Sequence, residues 1–265
     1  DSLKRAATHL PQVEAIGGSS AGVYVENQPR VASLFRGVSE KLFDSEVKPM
    51  FRNLAKEWDV PFEVINDGDV TALAGSMSLG GNAVLGLAMG TSEATGYVNA
   101  EGKVTTWLNE LAFAPVDYAE GAPADVWSGD LGCGVQYFSQ QAVGRLLSPA
   151  GIDLPGDLPL PEKLVEVQTL MASDDPRARK IYETVGVYLG YGVAHYADLY
   201  NLRNLLLLGR VTSGQGGQII LDQADNVLKT EFPELAERVA FHVPNEKDKR
   251  HGQAIAAASL PVIER

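Results

Sequence analysis

The residues able to do chemistry in this sequence sit in turns between apolar runs. Asn66-Asp67-Gly68 follows a strand-like stretch, residues 60–65, and precedes a helix-like one, residues 70–79. That is where an open α/β sheet exposes an acid at the carboxyl ends of its strands. An aspartate there can take the proton of a hydroxyl as the hydroxyl attacks a phosphoryl group. The same letters read as turn and helix-cap chemistry with Asp69 as the cap, and spacing alone favours that simpler account. Gly90-Thr91-Ser92 lies between two short strand candidates, where amides and a hydroxyl could hold phosphate oxygens or only turn a hairpin. Leu205–Leu208 runs through Gly209 into Ser213-Gly214-Gln215-Gly216-Gly217 and a helical stretch. This strand, glycine-rich loop and helix suit close approach by a nucleotide, without the spacing of a Walker loop or a dinucleotide fingerprint.

Regular elements must hold these turns. Residues 13–16 read as a strand ending in the glycine-rich turn Gly17–Gly22. Phe43, Val47, Phe51, Leu54 and Trp58 recur at helical spacing, with Pro49 tolerable only in a first turn after a cap such as Ser45. Up to residue 81 the order is strand, helix, strand, helix. From Asn82, residues 83–89, 94–99 and 103–108 form an expected antiparallel meander, followed by a loop over 115–134 rich in Gly, Pro and Asp. Helices are expected at about 135–147, 161–172 and 177–200, then a strand at 205–208, a helix at 216–229, a strand at 239–243 and a helix at 252–262. The second stretch is a complete β-β-β-α-β-α-β-α unit, and the first is only the tail of one. The expected fold is therefore α/β, a two-lobed actin-like ATPase architecture of ribonuclease-H-like units. Residues 1–81 make a partial first lobe and 82–265 a complete second lobe with a helical insertion.

Composition narrows the function. The 265 residues carry 22 Lys and Arg against 34 Asp and Glu, a net charge of −12, which argues against nucleic-acid or anionic-membrane partners. A hydrophobic fraction of 45% supports a real core. The single Cys133 allows neither an internal disulfide nor a cysteine-based zinc site, so a reducing, cytoplasmic setting is the expectation. No run reaches the roughly 18 apolar residues of a membrane helix. His9, His195, His242 and His251 lack metal-ligand spacing, and Gly186, Gly190 and Ala194 form a small-residue stripe suited to helix packing.

Taken in order, Val64-Ile65-Asn66-Asp67, Val84-Leu85-Gly86-Leu87-Ala88-Met89-Gly90-Thr91, Asn109-Glu110-Leu111-Ala112-Phe113, Gly132-Cys133 and Leu206-Leu207-Leu208-Gly209 resemble the ROK family of sugar kinases and sugar-responsive repressors. The resemblance runs from about Val13 to the C-terminus. It implies Asp67 as catalytic base, Asn66 and Glu110 as sugar contacts, Gly90 and Thr91 at the phosphates and Gly209 near the adenosine. It also implies Mg-ATP as donor, a carbohydrate as acceptor and a possible homodimer.

The departures from the family pattern carry their own expectations. The family's zinc histidine falls on Phe113 and two of its cysteines on Val126 and Ser128, so no zinc is expected. Its second sugar-binding glutamate falls on Val135. Ser92, Glu93 and Arg210 stand at phosphate and adenosine positions and weigh against nucleotide binding, Glu93 by placing charge where a triphosphate would approach unless its side chain points away, while Arg210 could instead offer a cation to a phosphate or to Glu93. Nothing in residues 1–12 resembles the family's first phosphate loop, which an upstream segment could supply. The leading expectation is an ATP-dependent carbohydrate kinase. The alternative is a non-catalytic sugar-binding or regulatory protein.

Overall fold

The computed structural model describes residues 1–105, 107–244 and 246–262, with side chains except at Ser33 and 246–250. After α1 (Ser2–Ala7), β1 (Ile16–Ser20) pairs in parallel with β4 (Phe62–Asn66). The expected strand at 13–16 is displaced into the glycines that follow it. Gly17 belongs inside β1 because a Cβ there would overlap the Ala257 carbonyl of the last helix. Between β1 and β4 lies a hairpin the sequence pattern did not announce, β2 (Val23–Val25) with β3 (Gln28–Val31). Its turn residues Glu26 and Asn27 have φ of 51° and 60°, the left-handed pair that tight hairpins favour. The Asn27 amide donates to Phe62 O at 2.8 Å, and its oxygen accepts from Val64 N at 2.7 Å, so it caps part of the outer edge of β4. The helix expected at 43–58 divides into α2 (Glu40–Leu42), a π-turn over Phe43–Val47 and α3 (Met50–Trp58). The break falls at Pro49, which has no N–H to continue a ladder.

The chain then forms α4 (Asp67–Leu79), β5 (Val84–Met89), β6 (Glu93–Val98), α5 (Gln140–Leu146), α6 (Leu160–Ala172), α7 (Pro176–Tyr196), β7 (Asn204–Leu208), α8 (Gln215–Glu231), α9 (Pro233–Ala236), β8 (Ala240–His242) and α10 (Glu246–Ala258). One four-stranded sheet has the order β6-β5-β7-β8, antiparallel between β6 and β5 and parallel otherwise. The third meander strand does not form. Of residues 103–108, of which Thr106 lies outside the described residues, only Val104 bridges to Val98. Trp107 instead stacks on Tyr97 at 6.0 Å, and the chain leaves the sheet there.

Leu85, Leu87, Leu205 and Leu207 project to the face covered by α7 and α8 and form the main core with Ile181, Leu189 and Ile220. Gly186 and Gly190 let those two helices approach, since a Cβ at Gly186 would lie 2.7 Å from Ile220 O. Val84, Leu206 and Val98 project to the opposite face, against Ala72 of α4. Helix α10 returns to pack Ala256 and Ala257 on Val70 of α4. None of the described helices is long and apolar enough to cross a membrane.

Helix α4 and strand β6 approach main chain on main chain. A Cβ at Gly68, in the first turn of α4, would overlap Thr95 O, and one at Gly96 of β6 would overlap the Gly68 carbonyl. Gly96→Ala is expected to destabilise the fold by about 3 kcal/mol, the upper end for overpacking, because neither partner is a side chain that can rotate away. Urea unfolding checks this, and an unchanged midpoint would contradict the packing.

Candidate functional site

Helix α4 begins at Asp67, three residues before the expected start, and Asn66 rather than Asp69 is its cap. Asn66 Oδ1 accepts from Gly68 N at 2.7 Å, while its amide donates to Gly22 O at 2.9 Å and ties β4 to the loop after β1. Asp67 is half-buried at the carboxyl end of β4. Its charge helps burial to raise the Tyr24 phenol pKa, so Tyr24, whose hydroxyl lies 2.7 Å from Ser20 Oγ, borders the same space.

Asp69 is buried, not a cap. Its Oδ1 accepts from Asn109 Nδ2 at 2.8 Å and from Tyr97 N at 3.4 Å. Burial pushes its pKa to about 6 against those hydrogen bonds, and the charges of Glu110 and Asp67 add to the rise. Burial likewise raises Glu110, with the charge of Asp67 as the second cause. Asp67, Asp69 and Glu110 thus share one electrostatic environment, although 43 positions separate Asp67 from Glu110 in the chain (110 − 67). Thr95 holds Glu110 from both sides. Its hydroxyl makes a short hydrogen bond to Asn109 O and accepts from Leu111 N at 3.3 Å. Tyr200 donates to Asn109 Oδ1 at 2.9 Å.

Glu93 does not face the space in front of Gly90. It is 4% exposed, both its carboxyl oxygens lack a hydrogen-bond partner, and a Cβ on Gly134 would meet its Oε2 at 2.5 Å. Burial first, and Glu110 second, hold its pKa well above the ordinary value, which is the state of a buried acid that keeps its proton. The charge expected at the phosphate turn is therefore turned into the core. What the turn does present is exposed Thr91 and Ser92, with Gly90 N bonded to Ser92 O at 2.9 Å.

Gly209 has φ of 96°, and a Cβ there would overlap Met89 main chain, which seats the β7 loop directly behind this turn. Arg210 is exposed and makes no ion pair to Glu93. Farther along the loop, a cavity of about 440 Å³ is lined by Met171, Tyr182, Ser213 and Gly216, among others. Helix α8 opens there from Gly214 without a side-chain cap. The Tyr182 hydroxyl at this cavity is buried without a partner.

The 115–134 loop is held by apolar and polar contacts of its own. Asp125 accepts from Trp127 N at 3.0 Å and Ser128 N at 2.8 Å. Phe113 packs against Trp127 at 5.2 Å, and Arg36 from the first segment lies over the Trp127 ring at 4.8 Å. Cys133, Val135 and Ala112 form a small buried cluster with Phe113.

No protein-family model and no curated protein matches this chain in sequence. Solved structures do. The ROK hexokinase from Thermus thermophilus superposes with a TM-score of 0.71 at 18% identity, over 96% of this chain and 81% of that one. A ROK family transcriptional regulator described as a homologue of the E. coli MLC protein gives 0.73 at 17% identity, over 97% of this chain and 65% of that one. A ROK family glucokinase from Streptomyces griseus, solved with glucose and AMPPNP, gives 0.62 at 19% identity, over 98% and 86%. The chain has the ROK fold.

Within the ROK fold, the charge of Asp67 at the end of β4 reaches half-buried Glu110, while Gly90, Thr91 and Gly209 lie at the carboxyl ends of β5 and β7. The residues of this loop do not fit the zinc that the family's loop implies. Phe113, Val126 and Ser128 offer no zinc donors, Cys133 is wholly buried, and among the described residues no group of three His, Cys, Asp or Glu side chains could hold a metal. Asp69, Asn109 and Tyr24 were missed as site residues. Asp69 reads as a cap, and Asn109 finds its partner 40 positions away.

Glu93 gives this arrangement a measurable pH signature. A carboxyl with a raised folded-state pKa contributes stability in full below its ordinary 4.5, and loses it as pH rises toward the folded value. The loss runs at up to about 1.4 kcal/mol per pH unit. Glu93→Gln is expected to flatten the fall in denaturant midpoint above pH 4.5. An unchanged slope would show that Glu93 is not buried as an acid.

Proposed function

We propose that this chain is a carbohydrate kinase that passes the terminal phosphoryl group of Mg-ATP to a sugar hydroxyl. What supports it most is that Asp67, at the carboxyl end of β4 in a ROK fold, lies near enough to half-buried Glu110 for its charge to raise the Glu110 pKa. In this reading Asp67 accepts the proton the sugar hydroxyl loses as it attacks. Glu110 and the remaining hydrogen-bonding capacity of Asn66 hold other hydroxyls, whose groups would go unpaired with a wrong sugar. Mg-ATP, when bound, supplies the phosphoryl group and the metal's charge. Gly90, Thr91 and Gly209 would line its phosphates and adenosine, and the inward turn of Glu93 removes the repulsion that weighs against it.

Asp67→Asn is expected to lower phosphoryl transfer by about 100-fold or more with sugar affinity nearly unchanged, measured by sugar-phosphate formation over a panel of hexoses and by calorimetry. Full turnover in that variant would remove Asp67 from the role. The second reading, sugar binding without turnover, is favoured by two observations. Val135 is buried in apolar packing where the family has a second glutamate, and a transcriptional regulator is among the structural neighbours. Saturable sugar binding in a wild-type chain that transfers no phosphate would decide for it.

A further inference from the structure

Neither Asn109 nor Asp69 is among the sugar contacts proposed above, yet each lies beside a proposed site residue in the chain. Asp69 follows Asp67 by two positions in the first turn of α4, and Asn109 immediately precedes Glu110. Their side chains meet at 2.8 Å in a buried bond, 40 positions apart in the chain. A charge-assisted bond of this kind is among the stronger ones available to a side chain. Asn109 has a second fixed partner in Tyr200, and Thr95 grips the main chain on both sides of Glu110. Glu110 itself has φ −86° and ψ 59° and opens a single short 3-10 turn, Leu111–Phe113. A turn so short has little conformational preference of its own. Something outside it must aim the Glu110 side chain.

We infer that the Asp69–Asn109 bond, backed by Tyr200 and Thr95, is a positioning clamp that sets Glu110 against Asp67, so that the sugar contact and the proton acceptor are aligned by one buried joint. Asp69 and Asn109 are positioning residues that act through Glu110 and touch no substrate. Loosening the joint therefore weakens sugar binding before it slows the chemistry. The role of the joint in sugar binding rests on the kinase reading, whereas its existence does not.

The test combines hydrogen exchange with kinetics on the full chain. Asp69→Ala is expected to raise amide exchange across residues 109–114 about tenfold or more, while exchange in β5 and α8 stays unchanged. In the same variant the sugar KM rises about tenfold and kcat falls by about threefold or less, the pattern of lost binding. Asp69→Asn keeps an acceptor oxygen for the Asn109 amide and recovers most of the loss. Tyr200→Phe removes one backing bond without touching α4, and moves exchange and KM the same way by a smaller factor. It also keeps the test open should Asp69→Ala fail to fold.

Unchanged exchange at 109–114 in the folded variants would overturn the clamp. So would faster exchange with an unaltered sugar KM. Should the wild-type chain phosphorylate no sugar, the kinase reading falls and the exchange comparison alone decides whether the clamp exists.

Discussion

The contact of α4 with β6 is the constraint on which the rest of the site depends. Gly68 and Gly96 bring two main chains together more closely than any side chain permits. That approach puts the first turn of α4 beside Thr95, Tyr97 and the segment that carries Glu110. Asp69 can then reach Asn109 and the Tyr97 amide. Asn66 anchors the other end of the joint by capping α4 and bonding the loop after β1. One steric fact thus connects a helix start, a sheet edge and an irregular loop, which together hold three carboxyl groups.

Those carboxyl groups explain why the joint needs hydrogen bonds as well as packing. Burial and mutual repulsion raise Asp69 and Glu110, and each would be costly to hold without donors. Asp69 has donors in Asn109 and Tyr97. Glu93 has none and is held as an acid, so it adds volume to the core rather than charge to the cleft. The loop over 115–134 is solved differently again. Its polar turn at Asp125 and the Phe113, Trp127 and Arg36 stack hold it by contacts that need no metal ligands.

Much of this was legible in the sequence. The β5 and β6 pair, the strands and helices from α6 onward, the glycine loop after β7 and the place of Asp67 at the end of β4 follow from periodicity and turn letters, and the fold class follows from their order. What was not legible has physical reasons. The β2 and β3 hairpin turns on Glu26 and Asn27, which adopt left-handed angles without a glycine to signal them. Residues 103–108 alternate like a strand, but Trp107 finds Tyr97 and the chain departs toward Asn109. Asp69 carries the letter of a cap while its partner lies far along the chain, and no local pattern reveals such a pair. The letter of Glu93 leaves open which way it points, and alternation along β6 turns the side chain inward.

The most direct test of the account is the titration of Glu110, followed by carbon NMR of its carboxyl group in the wild-type chain and in Asp67→Asn. The two acids share one space in this account, so removing the Asp67 charge should lower the raised Glu110 pKa toward its ordinary value, leaving only the part due to burial. An identical Glu110 titration in both proteins would mean that Asp67 and Glu110 do not face each other, and the site as described here would not exist.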